Sequence, residues 1–164
     1  MELWYNATHS ITFVRTIDNQ EVRKNTWTDW HAVPSSRPQV NPPEVKTKFI
    51  NIPGAHGQID MTGAVTGGIR YSNTEGDIEL ILRNSYPSDN LWYEVYNDIL
   101  KFLHGQVVKI IFEDHSNLYW EGRTTVSSIT SEKMYTKIKI AYTAYPFPIE
   151  RDNSDDPPIT PFID

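Results

Sequence analysis

The sequence predicts a mainly β, α+β fold: antiparallel strands with one helix packed against them. Short runs of alternating apolar and polar residues recur along most of the chain, the mark of half-buried strands. A single stretch, residues 92–103, carries its apolar side chains at helical spacing instead. Aromatic residues make up 12% of the 164 residues, with five Trp and nine Tyr, which supplies bulk for a β core.

Taken in order, residues 10–14 are β-prone, Asp18-Asn19-Gln20 reads as a turn, and Glu21-Val22-Arg23 closes a hairpin. Residues 26–33 alternate weakly, and Trp27 and Trp30, three apart, do not share a strand face without a bulge. Residues 34–44 hold Pro34, Pro38, Pro42 and Pro43 and no period, predicting an extended, exposed arm. Residues 45–52 read as a strand, with Val45, Thr47, Phe49 and Asn51 on one face and Lys46, Lys48, Ile50 and Ile52 on the other.

The next segment, Ile52-Pro53-Gly54-Ala55-His56-Gly57-Gln58-Ile59-Asp60-Met61-Thr62, predicts a strand–turn–strand corner. Proline presets φ for the turn and glycine admits the positive φ that follows. Residues 63–74, with Gly63, Gly67 and Gly68, read as a loop. Residues 77–83 form a strand with Ile78, Leu80 and Leu82 on one face.

The helix is expected over about 89–104. Pro87-Ser88-Asp89 offers an N-cap, Trp92, Val95, Tyr96, Ile99, Leu100 and Leu103 form the stripe, and Gly105 stops it. His104 falls in the last turn, where positive charge suits the helix dipole. Residues 107–113 are apolar enough to be covered on both faces. Residues 117–131 form a long strand bent at Gly122, with Leu118, Trp120, Thr124 and Val126 on one face. Residues 134–145 pair with it as a hairpin, Met134, Ile138, Ile140 and Tyr142 inward and Lys137, Lys139 and Thr143 outward. Residues 1–147 are therefore expected to form one domain. Residues 148–164, with five acids against one base, read as an acidic, disordered tail.

Charge and composition narrow the function. The net charge of −6 is concentrated in that tail, and no basic patch stands out, which disfavours nucleic acid and anionic membranes as direct partners. The absence of cysteine excludes disulfides, thiolate metal sites and a cysteine nucleophile. No apolar run approaches the ~20 residues of a membrane span, and the N-terminus does not read as a signal peptide, so folding in cytoplasm is expected.

Chemistry-bearing residues are scattered rather than convergent. Asp29 and His31, and Asp114 beside His115, are single acid–histidine pairs in polar contexts, better read as solvated loop or strand-end residues. No two histidines share a strand face at metal-ligand spacing. His56 lies between Gly54 and Gly57, but a phosphate cradle opens a helix and no helical period follows. Glu79, Glu113 and Glu121 lie on strands, with Glu79 and Glu121 on the polar face. Trp92 and Trp120 fall on core patterns. Trp4, Trp27 and Trp30 do not, and packing against a neighbouring subunit suits them better than a sugar platform. No catalytic residue, cofactor or metal site is expected.

One larger pattern remains. The order Trp27-Thr28-Asp29-Trp30, Arg37-Pro38, Pro42-Pro43, the Pro53-Gly54…Gly57…Asp60 corner, the helix ending in His104-Gly105 and the strand Tyr119-Trp120-Glu121-Gly122-Arg123 resembles the distal tail proteins of long-tailed bacteriophages and prophages. The resemblance covers roughly residues 25–147. It implies a tail-tube-like, split-barrel fold of two packed antiparallel sheets with a flanking helix. It also implies a sixfold ring of copies joining the tail tube to the tail tip or baseplate, with DNA passing through. On that reading the partners are the chain itself, the tail-tube protein and a tail-tip hub protein, and the protein resides in the virion tail after assembly in the host cytoplasm. The alternatives are a tail-tube or tail-completion protein and, further off, a carbohydrate-binding module. Trp27, Trp30, Arg37, Pro38, Pro53, Gly54, Gly57 and Asp60 are the structural or interface candidates. Many members of that family add a C-terminal domain that binds other baseplate parts or saccharide; residues 148–164 are expected to be too short for one, so glycan binding of that kind is not expected here.

Overall fold

The computed structural model describes residues 9–84 and 91–151. It is mainly β, with two antiparallel sheets and a single helix among the described residues, as the sequence predicts. The two sheets are very unequal. The larger has eight strands, ordered β2-β1-β7-β8-β9-β6-β3 with β10 added beside β8. These are β1 (Ile11–Ile17), β2 (Gln20–Asn25), β3 (Ala32–Pro34), β6 (Thr74–Arg83), β7 (Val107–Phe112), β8 (Leu118–Ser131), β9 (Tyr135–Ala144) and β10 (Ile149–Glu150). The smaller sheet holds only β4 (Phe49–Asn51) and β5 (Gln58–Asp60).

Local chemistry explains the first hairpin. Ile17 pairs with Gln20 across Asp18 and Asn19, which stand at φ +50° and +62°. Asp and Asn tolerate that left-handed region better than other side-chain-bearing residues, and such a turn matches the twist of the strands it joins.

β8 organises the large sheet. Its first part pairs with β7 from Trp120 to Arg123, and its second part pairs with β9 from Gly122 to Ser131. Gly122 thus sits where the two halves meet. A Cβ there would run into the Thr143 carbonyl and stand 2.7 Å from Ala144 Cα, so only glycine allows the strands this close. A register shift between Val126 and Ser128 bends the far end.

The core lies on the inner face of this bent sheet. Ile11 and Phe13 of β1, Val108 and Ile110 of β7, Ile138 and Ile140 of β9, and Ile78 and Leu80 of β6 are all buried there. The helix α1 (Leu91–Leu103) closes it with Ile99, Phe102 and Leu103. Phe102 lies outside the sequence-derived stripe, while Trp92, Val95 and Tyr96 are only partly buried. The expected cap at Pro87-Ser88-Asp89 lies outside the described residues. Gly105, at φ +75°, turns the chain, and its N–H donates to the Thr124 carbonyl. His104 does more than sit at a helix end: its Nδ1 accepts the Val126 N–H at 3.1 Å, covering part of the free edge of β8.

Three expectations need correction. Simple alternation points Met134 inward, yet it precedes β9 and is 69% exposed, because the inward alternation begins only with the paired strand. The ordered fold does not end at Phe147. Ile149 and Glu150 pair with Tyr119 and Leu118, and Arg151 N–H donates to the Asn117 carbonyl, so residues 148–151 belong to the domain. β10 is two residues long and carries no period a sequence could reveal. The third is Trp30, which is buried in the core and not at a surface.

Candidate interaction surfaces

Asn25 builds the turn that separates the two tryptophans. Its Oδ1 accepts the N–H groups of Trp27 and Thr28, while the Asp29 carboxylate accepts the Asn25 N–H at 2.7 Å. His31, at φ +52°, ends this turn with its N–H on the Trp27 carbonyl. Because residues 26–30 form a turn and not a strand, a three-residue separation sends the rings opposite ways. Trp27 is 45% exposed and meets the His31 ring edge-on at 6.3 Å. Trp30 is core: it packs against Phe13 and Phe102, and its Nε1–H donates to Asp98 at 2.7 Å. Trp30 is therefore withdrawn as an interface candidate.

The proline-rich arm is bound to its own domain. Ser35 N–H donates to the Glu79 carbonyl, Asn41 Nδ2 to the Glu75 carbonyl, and Thr74 Oγ1 to the Asn41 carbonyl at 2.6 Å. These bonds occupy the edge of β6 that short β3 leaves open, as edge strands require. The Tyr142 hydroxyl reaches the Gln39 carbonyl at 3.4 Å, and Val40 packs on the core. Burial pushes the Tyr142 phenol above its usual value, with Asp77 adding to the effect. Arg37 and Pro38 line a cleft of about 750 Å³ between this strap and Phe112, Leu118 and Trp120. Asp114 on its rim takes His9 Nδ1 at 2.9 Å.

The Ile52–Thr62 corner is the turn of a hairpin that stands away from the domain. Val45 bridges Tyr71 at its root, Lys46 N–H donates to the Arg70 carbonyl, and Met61 N–H to the Lys48 carbonyl. Pro53 and Gly54 form the tip, with Ala55 N–H returning to the Ile52 carbonyl and Gly54 and Gly57 at φ +82° and +75°. Asp60 accepts the Thr62 N–H, and its carboxyl is held below the ordinary value chiefly by its hydrogen bonds to Thr62. Every residue of β4 and β5 is exposed. Ile50 pairs with Ile59, so Ile50, Ile52, Ile59 and Met61 share one face with Lys48, and all four apolar side chains are between 38% and 48% exposed. The sequence already showed this alternation but gave no sign that the face would stand exposed among the described residues.

A mixed polar and apolar surface, which Asn73 and Ala144 also line, lies where β7, β8 and β9 show their outer face. Val107 and Tyr145 are 47% and 61% exposed around a shallow cleft of about 190 Å³ that Glu121, Arg123 and Thr143 complete. Phe147 lies nearby in the chain and meets Tyr71, at the hairpin root, edge-on at 4.9 Å. Among the described residues no three or more His, Asp or Glu gather as a metal site, and no helix is long and apolar enough to cross a membrane.

Comparison with known proteins gives a likeness of fold. No protein-family model matches the chain, and no curated protein matches it. Among solved structures it is similar to the SPP1 Dit (gp 19.1) protein, described as a paradigm of the hub adsorption apparatus in phages that infect Gram-positive bacteria. The TM-score is 0.55 at 15% identity, covering 82% of this chain and 49% of that one. This chain thus spans about half the length of the protein it matches.

Proposed function

We propose that this chain is a non-enzymatic structural component of a phage tail, a hub ring that joins the tail tube to the tail tip and leaves a channel for DNA. The observation that carries this reading is the fold shared with SPP1 Dit over 82% of the chain. The surfaces agree with it. A hairpin with an exposed apolar face, and Val107 and Tyr145 exposed on the body, suit a protein whose stable state is an assembly. Closed cyclic symmetry, six copies in this reading, satisfies both surfaces of every copy without leaving an end. The mildly acidic balance of residues 1–147, with no basic patch, suits a channel through which DNA passes without adhering.

A tail-tube or tail-completion protein is the second reading, since the likeness covers only 49% of SPP1 Dit and such a ring domain could serve there too. Negative-stain imaging of the purified chain tests the class: rings with a central hole are expected. A chain that stays monomeric at high concentration and binds oligosaccharide would sink it in favour of a carbohydrate-binding module. Antibody labelling of intact tails separates the two tail readings, a single band at the tube's end marking the hub and labelling along the tube marking the other.

A further inference from the structure

We infer that the chain's own N-terminal segment, with Leu3, Trp4 and Tyr5, docks in the cleft between the proline-rich strap and β8, closing the open end of the core. The inference does not depend on the tail reading. The cleft is where the core comes to the surface. Paired residues share a sheet face, so Trp120, opposite Ile110, and Phe112, opposite Ile11, belong to the buried inner face. Leu118, two residues before Trp120, belongs to it as well. Phe112 is buried, yet Leu118 and Trp120 are only partly covered. Pro38 and Val40 of the strap form the opposite wall, so apolar residues make up most of the lining. A cleft of about 750 Å³ falls within the roughly 300–1,000 Å³ of ligand-sized sites, room for a few large side chains.

The backbone delivers the segment to this place. Ser10 is locked: its N–H donates to the Glu113 carboxylate at 2.8 Å and its carbonyl accepts the Glu113 N–H at 2.9 Å. One residue earlier, His9 stands at φ +44°, which breaks the course of β1, and its ring is held by Asp114 on the cleft rim. Residues 1–8, which lie outside the described residues, therefore start at the mouth of the cleft. Leu3, Trp4 and Tyr5 precede His9 by four to six residues, an extended reach of about 13–20 Å that spans the floor. A tether this short holds the segment at an effective concentration on the order of millimolar, which favours the chain's own segment over a second copy's. Charge sets the direction. Arg37 lines the cleft and pairs with no carboxylate among the described residues, and Glu2 adjoins the apolar trio. Docking places Glu2 beside Arg37 and Trp4 against Leu118 and Trp120.

The absence of native cysteine makes the test clean. Gln39 is exposed and lines the cleft, whereas Met134 is exposed at the far end of the long β8–β9 hairpin. Under mild oxidation the full-length Trp4→Cys/Gln39→Cys chain should close an intrachain disulfide at least tenfold faster than Trp4→Cys/Met134→Cys, at a rate independent of protein concentration. Equal rates in the two chains overturn the inference. A mixture of Trp4→Cys and Gln39→Cys chains that yields chiefly heterodimer overturns it in favour of exchange between copies. Separately, Trp4→Ala should lower the melting temperature by about 3–6 °C, and Trp4→Phe should keep most of the wild-type value. Glu2→Lys should lower it less, and Arg37→Glu in the same chain should restore it. A Trp4→Ala chain that melts with the wild type overturns the inference even if the disulfide forms, because the segment would then visit the cleft without binding there.

Discussion

The large sheet and the projecting hairpin use the same antiparallel ladder and much the same residues, yet only one of them is covered. In the sheet, Ile78 faces Ile140 and Leu80 faces Ile138, and all four are buried beneath the helix and Trp30. In the hairpin, Ile50 faces Ile59 in the same way and both stay exposed. Pairing sets which side chains stand together, and burial decides whether their meeting stabilises the fold. The body is therefore expected to unfold as one unit, while the hairpin opens locally at low cost until a partner covers it.

The strongest way to sharpen that contrast is to damage the body. Trp30→Ala removes a buried ring wedged between Phe13 and Phe102 together with its hydrogen bond to Asp98, and should cost about 3–5 kcal/mol in urea unfolding. Gly76→Ala comes next. Its Cβ would stand 2.7 Å from the Tyr142 ring, and overpacking of this kind costs about 1–3 kcal/mol. Truncation after Phe147 should cost about 1–2 kcal/mol through the lost β10 pairing and the Arg151 bonds to Asn117 and Ser116, whereas truncation after Arg151 should leave the midpoint where it was. Equal stability of the two truncated chains would remove β10 from the domain.

In the arm, effects should be local. Gly54→Val meets open space but must hold φ near +82°, about 1–2 kcal/mol of strain that falls on the hairpin alone. The melting temperature should hold while proteolysis between residues 52 and 57 accelerates; a drop in global stability would show that arm and body are coupled. The smallest effect is a pH dependence. Tyr142's phenol pKa is raised in the folded state, so its contribution is fully present below the unfolded value near 10 and is lost as pH rises through the folded value. Tyr142→Phe should flatten that alkaline loss and change little at pH 7.

The difference between these regions also marks how far the sequence could be read. Strands buried on one face announced themselves by alternation: Ile78, Leu80 and Leu82 face inward as the pattern requires, and the helix kept Ile99 and Leu103. What escaped was set by contacts distant along the chain. Trp30 sits in a turn whose direction depends on Asn25 and Asp29, and no period encodes that. The proline-rich arm looked free, yet carbonyls of Glu75 and Glu79 on the open edge of β6 hold it down. Of the remaining surface candidates, Pro53, Gly54, Gly57 and Asp60 gather in the hairpin, Arg37 and Pro38 lie on the strap, and Trp27 stands apart. The apolar hairpin face was legible as alternation, but exposure is a property of the whole fold and the alternation alone implied a core.

Strand β8 carries a mechanical consequence. Fourteen residues long, it is laced to β7 and β10 at one end and to β9 at the other. A tensile load drawn along it must shear many hydrogen bonds at once, whereas a load across a strand end peels them singly. Gly122, at the overlap, lets the neighbouring strands close tightly around the point where such a load would cross from one half of the sheet to the other.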